Sequence, residues 1–438
     1  MTSAGRSAGG TPRRPAARRR AAAARPVLRR AVTGAAALAA TVLAAAGCSS
    51  PAARRPAPPA SRPVSLPLIT SVAASQTTWA VVPMGAASGP NLFWELFALP
   101  ARAARWRLAT PPDVATNGAI ALSVQGQSLV AGIHPSLLLR FSPITSTSDN
   151  GQNWATGAPG PGLASVPDAL AIAPDATRLV ALDRNGGADV ATIRPSAGGD
   201  GIIGPSGWKT LVSVRALAAT AAARPCRLTA LTATAFGSSG VPLLAGNCAA
   251  PGVAGIFALA GGRWRAAGPA LPAPLRHQRV RVLRLVRTGT RLIALLQAGT
   301  GRSASLVSAW AQEPAGAGGA IVAAARSGGG WALSPPLRLA GRTVTSSSFG
   351  RYGTAAVTLA RLRESGQHGE YISGSDALWH ALPALPAGHA VALALPADGS
   401  VYVLAADGST LTAWQLRRGS RWVRTQSSKV PIEYGSSS

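Results

Sequence analysis

The sequence predicts an all-β protein made of one repeated unit, and two observations carry this prediction. The first is a series of seven tryptophans spaced 43 to 67 residues apart, namely Trp106, Trp154, Trp208, Trp264, Trp331, Trp379 and Trp422. The second is a turn residue followed by an apolar strand, which recurs at Gly126, Asp175, Gly240, Gly289, Gly353 and Asp398. A period of roughly 40–50 residues with several short strands is typical of a β-propeller. We therefore predict seven blades of four-stranded antiparallel sheet.

Each unit has the same order of parts: a hairpin, a variable segment, a strand that carries the tryptophan, and a proline-rich exit. The exits include Pro111-Pro112 after Trp106 and Pro335-Pro336 after Trp331. Proline is tolerated at edge strands and connecting loops, where no ladder donor is needed. The units near Trp208 and Trp331 are longer than the others, so six or eight blades stay open as alternatives.

Length and composition agree with a single large β domain. A chain of 438 residues would suggest about three domains from length alone, but the repeat runs through 67–438 without a break. The 49 glycines and 35 prolines favour turns over long helices.

The chain is strongly basic, with 43 Lys+Arg against 15 Asp+Glu and a net charge of +28. Lysine occurs only at Lys209 and Lys429, and an Ala/Arg/Gly/Pro-rich composition is typical of a GC-rich genome. Beyond the N-terminus the arginines are scattered singly, so we interpret them as a solvated basic surface and predict no nucleic-acid partner. Attraction to anionic envelope polymers or lipid headgroups is the alternative.

The N-terminus has the organisation of an export sequence. Residues 1–30 are rich in arginine, the apolar run 31–46 follows, and Gly47-Cys48 ends it. A basic region, a short apolar region and small residues before a cleavage point are typical of a signal peptide. The apolar run is too short and too alanine-rich for a membrane span.

The segment Leu43-Ala44-Ala45-Ala46-Gly47-Cys48 resembles a bacterial lipobox, although Ala45 stands where leucine is usual. The resemblance implies a lipoprotein signal peptide (1–47), diacylation of Cys48 and attachment to the extracytoplasmic face of the cell membrane. A secretory peptide with an incidental cysteine is the alternative. Arg29-Arg30 leaves Sec and Tat export both open. Residues 48–66, rich in Pro and Ala, are predicted to form a flexible tether.

The other two cysteines, Cys226 and Cys248, flank a predicted hairpin in one blade. Because cysteine pairs outside the cell tend to oxidise, we predict a disulfide rather than two free thiols. Two cysteines with no nearby histidine do not favour a metal site, and we predict no metal and no cofactor.

One motif carries a family resemblance. Residues Thr147-Ser148-Asp149-Asn150-Gly151-Gln152-Asn153-Trp154 fill all defining positions of the Asp-box, Ser/Thr-x-Asp-x-Gly-x-x-Trp. The segment resembles the repeat of sialidases and related BNR propellers. That resemblance implies a structural turn, in which Asp149 accepts backbone N–H groups, Gly151 adopts positive φ and Trp154 packs inward; Thr147 opens the motif.

No catalytic residue is predicted. A sialidase-like site would need an arginine cluster, a tyrosine nucleophile with a glutamate partner, and an acid. The pairs Glu370-Tyr371 and Glu433-Tyr434 are only sequence neighbours, and the five histidines lack metal-ligand spacing.

The sequence therefore predicts a monomeric, lipid-anchored lipoprotein whose propeller binds a protein or an envelope glycan. The alternative is a glycan-active hydrolase or lyase with a non-standard site in the propeller channel.

Overall fold

A computed structural model describes residues 69–74, 76–85, 92–111, 120–133, 144–156, 167–183, 186–195, 202–312, 330–350, 353–360, 368–373, 378–384, 390–417 and 421–431. The predicted signal peptide, Cys48 and the tether (48–66) lie outside these ranges. Within them, none of the helices combines the length and the apolar character that crossing a membrane requires.

The strands pair antiparallel in sets of four consecutive strands, which form the blades. Blade 1 contains β1 (Ile69–Ala73), β2 (Thr77–Gly85), β3 (Leu92–Pro100) and β4 (Arg107–Leu108). Blade 2 contains β5 (Ala121–Gln125), β6 (Ser128–Gly132), β7 (Ile144–Thr147) and β8 (Ala155–Thr156). Blade 3 contains β9 (Ala169–Ile172), β10 (Arg178–Leu182), β11 (Gly187–Pro195) and β12 (Ile202–Ser213).

A short helix α1 (Val214–Ala218) and a 3-10 turn (Arg224–Cys226) lead into blade 4, which accounts for the long interval after Trp208. Blade 4 contains β13 (Leu228–Phe236), β14 (Pro242–Cys248), β15 (Gly255–Ala260) and β16 (Arg263–Ala266). After a 3-10 turn (Ala273–Leu275), blade 5 contains β17 (Val280–Thr288), β18 (Arg291–Ala298), β19 (Ser305–Gln312), β20 (Trp331–Leu333) and β21 (Leu337–Arg338). A third 3-10 turn (Gly301–Ser303) joins β18 to β19. Strands β20 and β21 both pair with β19, so they share the fourth position.

Blade 6 contains β22 (Thr343–Phe349), β23 (Ala355–Ala360), β24 (His368–Ser373) and β25 (Trp379–Ala381). Blade 7 contains β26 (Ala390–Ala394), β27 (Tyr402–Asp407), β28 (Thr410–Arg417) and β29 (Arg421–Lys429). The domain is a seven-bladed β-propeller, as predicted.

The core lies between the blades. Among the described residues, seven buried apolar clusters are found, and each contains residues from two neighbouring blades. One of them joins blade 7 to blade 1, for example through Leu404 and Val82, and so closes the ring. We call these inter-blade contacts seams. Because each sheet buries both faces against its neighbours, its strands read as nearly continuous apolar runs rather than as an alternating pattern.

The seven predicted tryptophans all lie in, or immediately before, the fourth strand of a blade. Three of the indole N–H groups donate hydrogen bonds to the segment that follows the fourth strand of the preceding blade. Trp331 donates to the Ala267 carbonyl (2.9 Å), and Trp422 donates to the Pro383 carbonyl (2.8 Å). Trp379 donates to Ser334 Oγ (2.9 Å). The repeated tryptophan is therefore both a packing residue and a hydrogen-bonded link between blades.

The predicted hairpin turns join the first and second strands of blades 2 to 7. Gly126, Gly240 and Gly289 adopt φ values of +60°, +71° and +60°, which side chains other than glycine rarely tolerate. Asp175 and Asp398 instead cap their turns, because their carboxylates accept the N–H groups two residues ahead.

The ring closes without an exchanged strand, because all four strands of blade 7 are consecutive. Gln426 on β29 bonds both the N–H (2.8 Å) and the carbonyl (2.9 Å) of Trp106 in blade 1. The first strand β1 also pairs in parallel with β22, through Ile69–Ser346 and Thr70–Ser347. Closure therefore rests on side-chain hydrogen bonds, this short ladder and apolar packing.

Candidate functional site at the centre of the ring

The segment 147–154, which resembles an Asp-box, forms the turn between β7 and β8 at the outer side of blade 2. Asp149 Oδ1 accepts the N–H groups of Gln152 (3.0 Å) and Asn153 (2.9 Å). Gly151 has a φ of +80°, and its N–H donates to Thr147 Oγ1 (2.9 Å). Although burial acts in the opposite direction, hydrogen bonds from Asn153, Thr147 and Gln152 hold the pKa of Asp149 below its ordinary value. The carboxylate is engaged in holding the turn.

The turn at 147–154 also links blade 2 to blade 1. The Trp154 ring lies edge-on to Trp79, with ring centroids 6.3 Å apart. Asn150 is hydrogen-bonded by Thr77 Oγ1 and by the Arg107 guanidinium, both of which belong to blade 1. The motif is thus a structural element far from the inner strands.

Cys226 and Cys248 are joined by a disulfide in blade 4, with Cα atoms 4.8 Å apart. Both residues are buried, and the bond connects the turn just before β13 to the end of β14. Gly255 lies against it, because a Cβ at that position would stand 2.8 Å from Cys248 Sγ. The disulfide therefore belongs to the framework.

The inner strands β1, β5, β9, β13, β17, β22 and β26 surround the centre of the ring. Their sequences are ITSVA, ALSVQ, ALAI, LTALTATAF, VRVLRLVRT, TVTSSSF and AVALA. Not one of these strands contains Asp or Glu. Their charged residues are three arginines on β17, namely Arg281, Arg284 and Arg287. The centre therefore offers hydroxyl, amide and guanidinium groups.

One end of the centre is bridged by polar side chains from separate blades. Arg287 Nη2 donates to Gln125 Oε1 (2.7 Å), which links blade 5 to blade 2. Gln125 Nε2 in turn donates to the Pro174 carbonyl of blade 3 (2.9 Å). We call this arrangement the Arg287–Gln125 strut. Groups from three blades therefore meet in this one hydrogen-bonded arrangement.

On the other side of the centre a group of serines holds blades 1, 6 and 7 together. Ser71 Oγ lies 2.6 Å from Ser348 Oγ and 2.7 Å from the Leu393 carbonyl. The N–H groups of Leu393 and Leu395 donate to Ser346 Oγ (3.1 Å) and Ser348 Oγ (3.0 Å). These serine hydroxyls form hydrogen bonds with the backbone of blade 7 and with each other. The bonds link the three blades, and they give the buried hydroxyls the partners that buried polar groups require.

Arg284 is half-buried, with its guanidinium 5.7 Å from the centre of the Phe349 ring in blade 6. Its Nη1 atom is buried without a hydrogen-bond partner. Burial lowers the pKa of Arg284 to about 10, so the group remains charged at neutral pH. A buried charge in this position destabilises the folded state unless an anion or a water molecule forms a hydrogen bond with it.

Three described carboxyls with raised pKa values lie in blades that are not neighbours. Burial raises the pKa of Glu95, Asp189 and Glu370, which lie on β3, β11 and β24, and the nearby Asp183 carboxylate adds to the rise at Asp189. These are third strands of blades 1, 3 and 6, and no two of those blades are neighbours. Glycosidases of the common two-carboxylate type need their carboxyls within about 5–10 Å of each other.

The Glu370-Tyr371 pair is also separated. Adjacent strand residues point to opposite faces of the sheet, and their contacts differ accordingly. Tyr371 Oη accepts a hydrogen bond from Arg342 Nη1 (3.1 Å), while Glu370 Oε1 is buried without a partner.

The second Glu-Tyr pair, Glu433-Tyr434, lies outside the described residues. In the described ranges no group of three His, Cys, Asp or Glu could hold a metal ion.

No family model matches the chain, and no curated protein sequence matches it. Solved structures are similar only in fold. A protein from Lactobacillus plantarum is 11% identical, with a TM-score of 0.45 over 81% of this chain and 97% of that one. The β-propeller domain of the Trilobed protease from Pyrococcus furiosus is 10% identical, with a TM-score of 0.44 over 82% and 95%.

A xyloglucanase from Xanthomonas campestris is 13% identical, with a TM-score of 0.45 over 81% of this chain and 52% of the enzyme. The chain thus spans about half the length of that enzyme. At these identities the likeness concerns the propeller architecture alone.

The sequence patterns did not point to Arg284, Arg287 or Gln125. The signal that could have identified the arginines is their spacing of three residues within the otherwise apolar run VRVLRLVRT. In a chain so rich in arginine this spacing is hard to distinguish from composition. The contact between Arg287 and Gln125 joins residues 162 positions apart, so the sequence around either residue does not indicate it.

Proposed function

We propose that this protein is a lipid-anchored extracytoplasmic lipoprotein whose propeller binds a protein or an envelope glycan. The observation that carries the binding role is the chemistry of the seven inner strands. They supply Ser, Thr, Gln and Arg but no carboxylate. Such groups fix and orient a ligand through hydrogen bonds, whereas general acid–base chemistry on a glycan would require a positioned acid and base.

The binding site that we propose lies at the Arg287–Gln125 strut. Groups from three blades converge there, and ligand sites commonly contain a few polar groups that converge on one point. A guanidinium matches carboxylate and phosphate groups, while the Gln125 amide can both donate and accept. A ligand with oxygen-rich groups, such as a glycan or a protein loop, fits this chemistry.

The membrane location is proposed from the sequence. The lipobox-like segment ending at Cys48 would supply two acyl chains, which suffice for stable anchoring. Metabolic labelling with a palmitate analogue tests this step by itself. Label should enter the wild-type protein and should be absent from Cys48→Ser, and labelling of both would remove the lipoprotein proposal.

The binding role is tested by crosslinking and affinity capture from native membranes with tagged full-length protein. The test variant is Arg287→Met with Gln125→Ala, which removes the strut. The control is Arg263→Met, an exposed arginine at the outer edge of blade 4. A specific protein or glycan captured by the wild type and the control, but at least about tenfold less by the test variant, is the expected result.

Equal capture by all three proteins would place the ligand elsewhere on the ring. Turnover of an envelope glycan by the purified wild type would instead establish the alternative hydrolase or lyase.

A further inference from the structure

The ring has two chemically different faces. All inner strands run in the same direction in a propeller, and the parallel pairing of β1 with β22 shows this directly. We call the face where the inner strands begin the entry face, and the face where they end the exit face. Connections between blades and the loops between second and third strands lie on the entry face.

The entry face of blades 4 and 5 carries a concentration of exposed arginines. They stand in the connection before β13, in the connection before β17, in the loop between β18 and β19, and on β21. We call this group the arginine face, and its members are Arg215, Arg224, Arg227, Arg276, Arg279, Arg302 and Arg338. Each is exposed, so together they present seven positive charges to solvent.

The arginine face lacks compensating charge within the described residues. Blades 4 to 6 contain one described carboxyl, Glu370, which is only 4% exposed. Elsewhere on the entry face the described residues include acidic groups, at Asp168 before β9 and Asp407 at the end of β27. The exposed positive charge of the arginine face is therefore concentrated over blades 4 and 5.

The arginine face is also held in place by the fold. Arg224 and Arg227 flank the disulfide-bonded Cys226. Arg279 forms a backbone bridge with Pro251, and Arg276 Nε donates to the Leu271 carbonyl (3.1 Å). Charges on fixed connections lose less conformational freedom when they meet an anionic surface than charges on a free tail.

The ring is joined to the preceding sequence at this same face, because β1 begins at Ile69 and inner strands begin on the entry face. The first described residue of the ring therefore lies on the face that carries the arginines. An acyl anchor and a basic surface are the two kinds of contact that together bind proteins firmly to anionic membranes.

We propose that the arginine face docks on an anionic phospholipid surface. The guanidinium groups would pair with headgroup phosphates, which they match in geometry. The proposal rests on the membrane location given under the proposed function and adds an orientation to it. The exit face, with the Arg287–Gln125 strut, would then be directed away from the membrane and open to a ligand.

The test measures vesicle binding of the full chain carrying Cys48→Ser, so that acyl chains do not contribute. Vesicles of phosphatidylcholine with phosphatidylglycerol are compared with vesicles of phosphatidylcholine alone. The test variant adds Arg279→Gln, Arg302→Gln and Arg338→Gln. The control adds Arg105→Gln, Arg263→Gln and Arg421→Gln, three exposed arginines at the exit-face loops. Both triples remove the same net charge, and unchanged thermal unfolding verifies that each is folded.

We expect binding only to the anionic vesicles, weakened by raised salt. The test triple should reduce it at least about tenfold and the control triple less than about threefold. Equal losses in the two triples would show attraction by net charge alone and would overturn the docking face. Binding to soluble polyphosphate but not to the vesicles would overturn the lipid surface as partner. Neither result depends on whether Cys48 is acylated, which the palmitate experiment decides separately.

Discussion

Blades 4 and 6 share one four-stranded design but bury different chemistry. Blade 4 buries one polar side chain in its strands, Thr234, and its hydroxyl donates to the Leu243 carbonyl (2.9 Å). Blade 6 buries six polar residues in its described strands, namely Ser346, Ser347, Ser348, Thr358, Glu370 and Ser373. Four of these six, namely Ser347, Thr358, Glu370 and Ser373, have a side-chain oxygen without a partner.

Buried apolar residues are distributed unevenly around the ring. The seam between blades 4 and 5 contains nineteen described buried residues, all Ala, Val, Leu or Ile. The seam between blades 6 and 7 contains six, beside the row Ser346–Thr358–Glu370. Apolar burial stabilises in proportion to area, whereas unpaired buried polar groups oppose folding. We therefore expect blade 4 to be more stable than blade 6, because blade 6 buries more polar groups that lack a hydrogen-bond partner.

Truncation of matched leucines should separate the two seams most strongly. Leu243 and Leu393 are both fully buried; Leu243 lies in the seam between blades 4 and 5, and Leu393 lies in the seam between blades 6 and 7. Leu243→Ala should lower the free energy of unfolding by about 4 kcal/mol, because the surrounding apolar seam leaves a dry cavity. Leu393→Ala should lower it by about 3 kcal/mol, because Ser346 and Ser71 bond its backbone and water can enter a cavity with polar neighbours. Urea unfolding measures both, and a greater loss at Leu393 would reverse the ranking of the seams.

Removal of the disulfide should have the next strongest effect on stability. Replacing Cys226 and Cys248 by alanine should lower the free energy of unfolding by about 3 kcal/mol, because the bond closes a loop with a sequence separation of 22. Unfolding of the wild type under reducing conditions serves as the control and should give a similar loss. A loss below about 1 kcal/mol would mean that apolar packing alone accounts for the stability of blade 4.

Ser334 tests the hydrogen bonding between blades 5 and 6. Its buried hydroxyl accepts the Trp379 indole N–H (2.9 Å) and the Ser308 N–H (3.0 Å). Ser334→Ala leaves both donors without this partner and should lower the free energy of unfolding by about 2 kcal/mol. Ser303→Ala, at an exposed serine in the same blade, is the control and should change it by less than about 0.5 kcal/mol. Similar values for the two variants would mean that the Ser334 hydroxyl does not link the blades.

Glu370 should have the weakest effect, and that effect depends on pH. Because burial raises the pKa of Glu370 in the folded protein, the folded state holds a proton at pH values where the unfolded chain has lost it. Stability therefore falls as pH rises above the ordinary glutamate value of 4.5, until the folded-state pKa is passed.

Glu370→Gln should remove that fall and raise the free energy of unfolding at neutral pH by about 1 kcal/mol. Unfolding is measured from pH 4 to pH 8 on both proteins. A variant whose stability declines in parallel with the wild type would exclude Glu370 as the cause.

Much of the architecture could be predicted because its causes are local. A turn at Gly126 or Gly289 needs a residue that accepts positive φ, and this requirement appears as glycine at a regular interval. The turn at 147–154 could be placed for the same reason, since Asp149, Gly151 and Thr147 form hydrogen bonds within one turn.

The centre of the ring could not be predicted in the same way. The contact between Arg287 and Gln125 and the contact between Ser71 and Ser348 join residues 162 and 277 positions apart. The sequence around these four residues does not distinguish them from other polar positions in β strands.

Local sequence was enough to specify the repeated β architecture, the turns that separate the strands and the positions of the tryptophans between blades, because each follows from backbone preference and apolar burial. The folded ring was needed to show which polar groups meet at the centre, that blade 6 carries unpaired polar groups, and that exposed arginines share one face with the start of β1. These features depend on contacts between residues that are far apart in the chain and meet only when the ring closes, so a local sequence pattern cannot predict them.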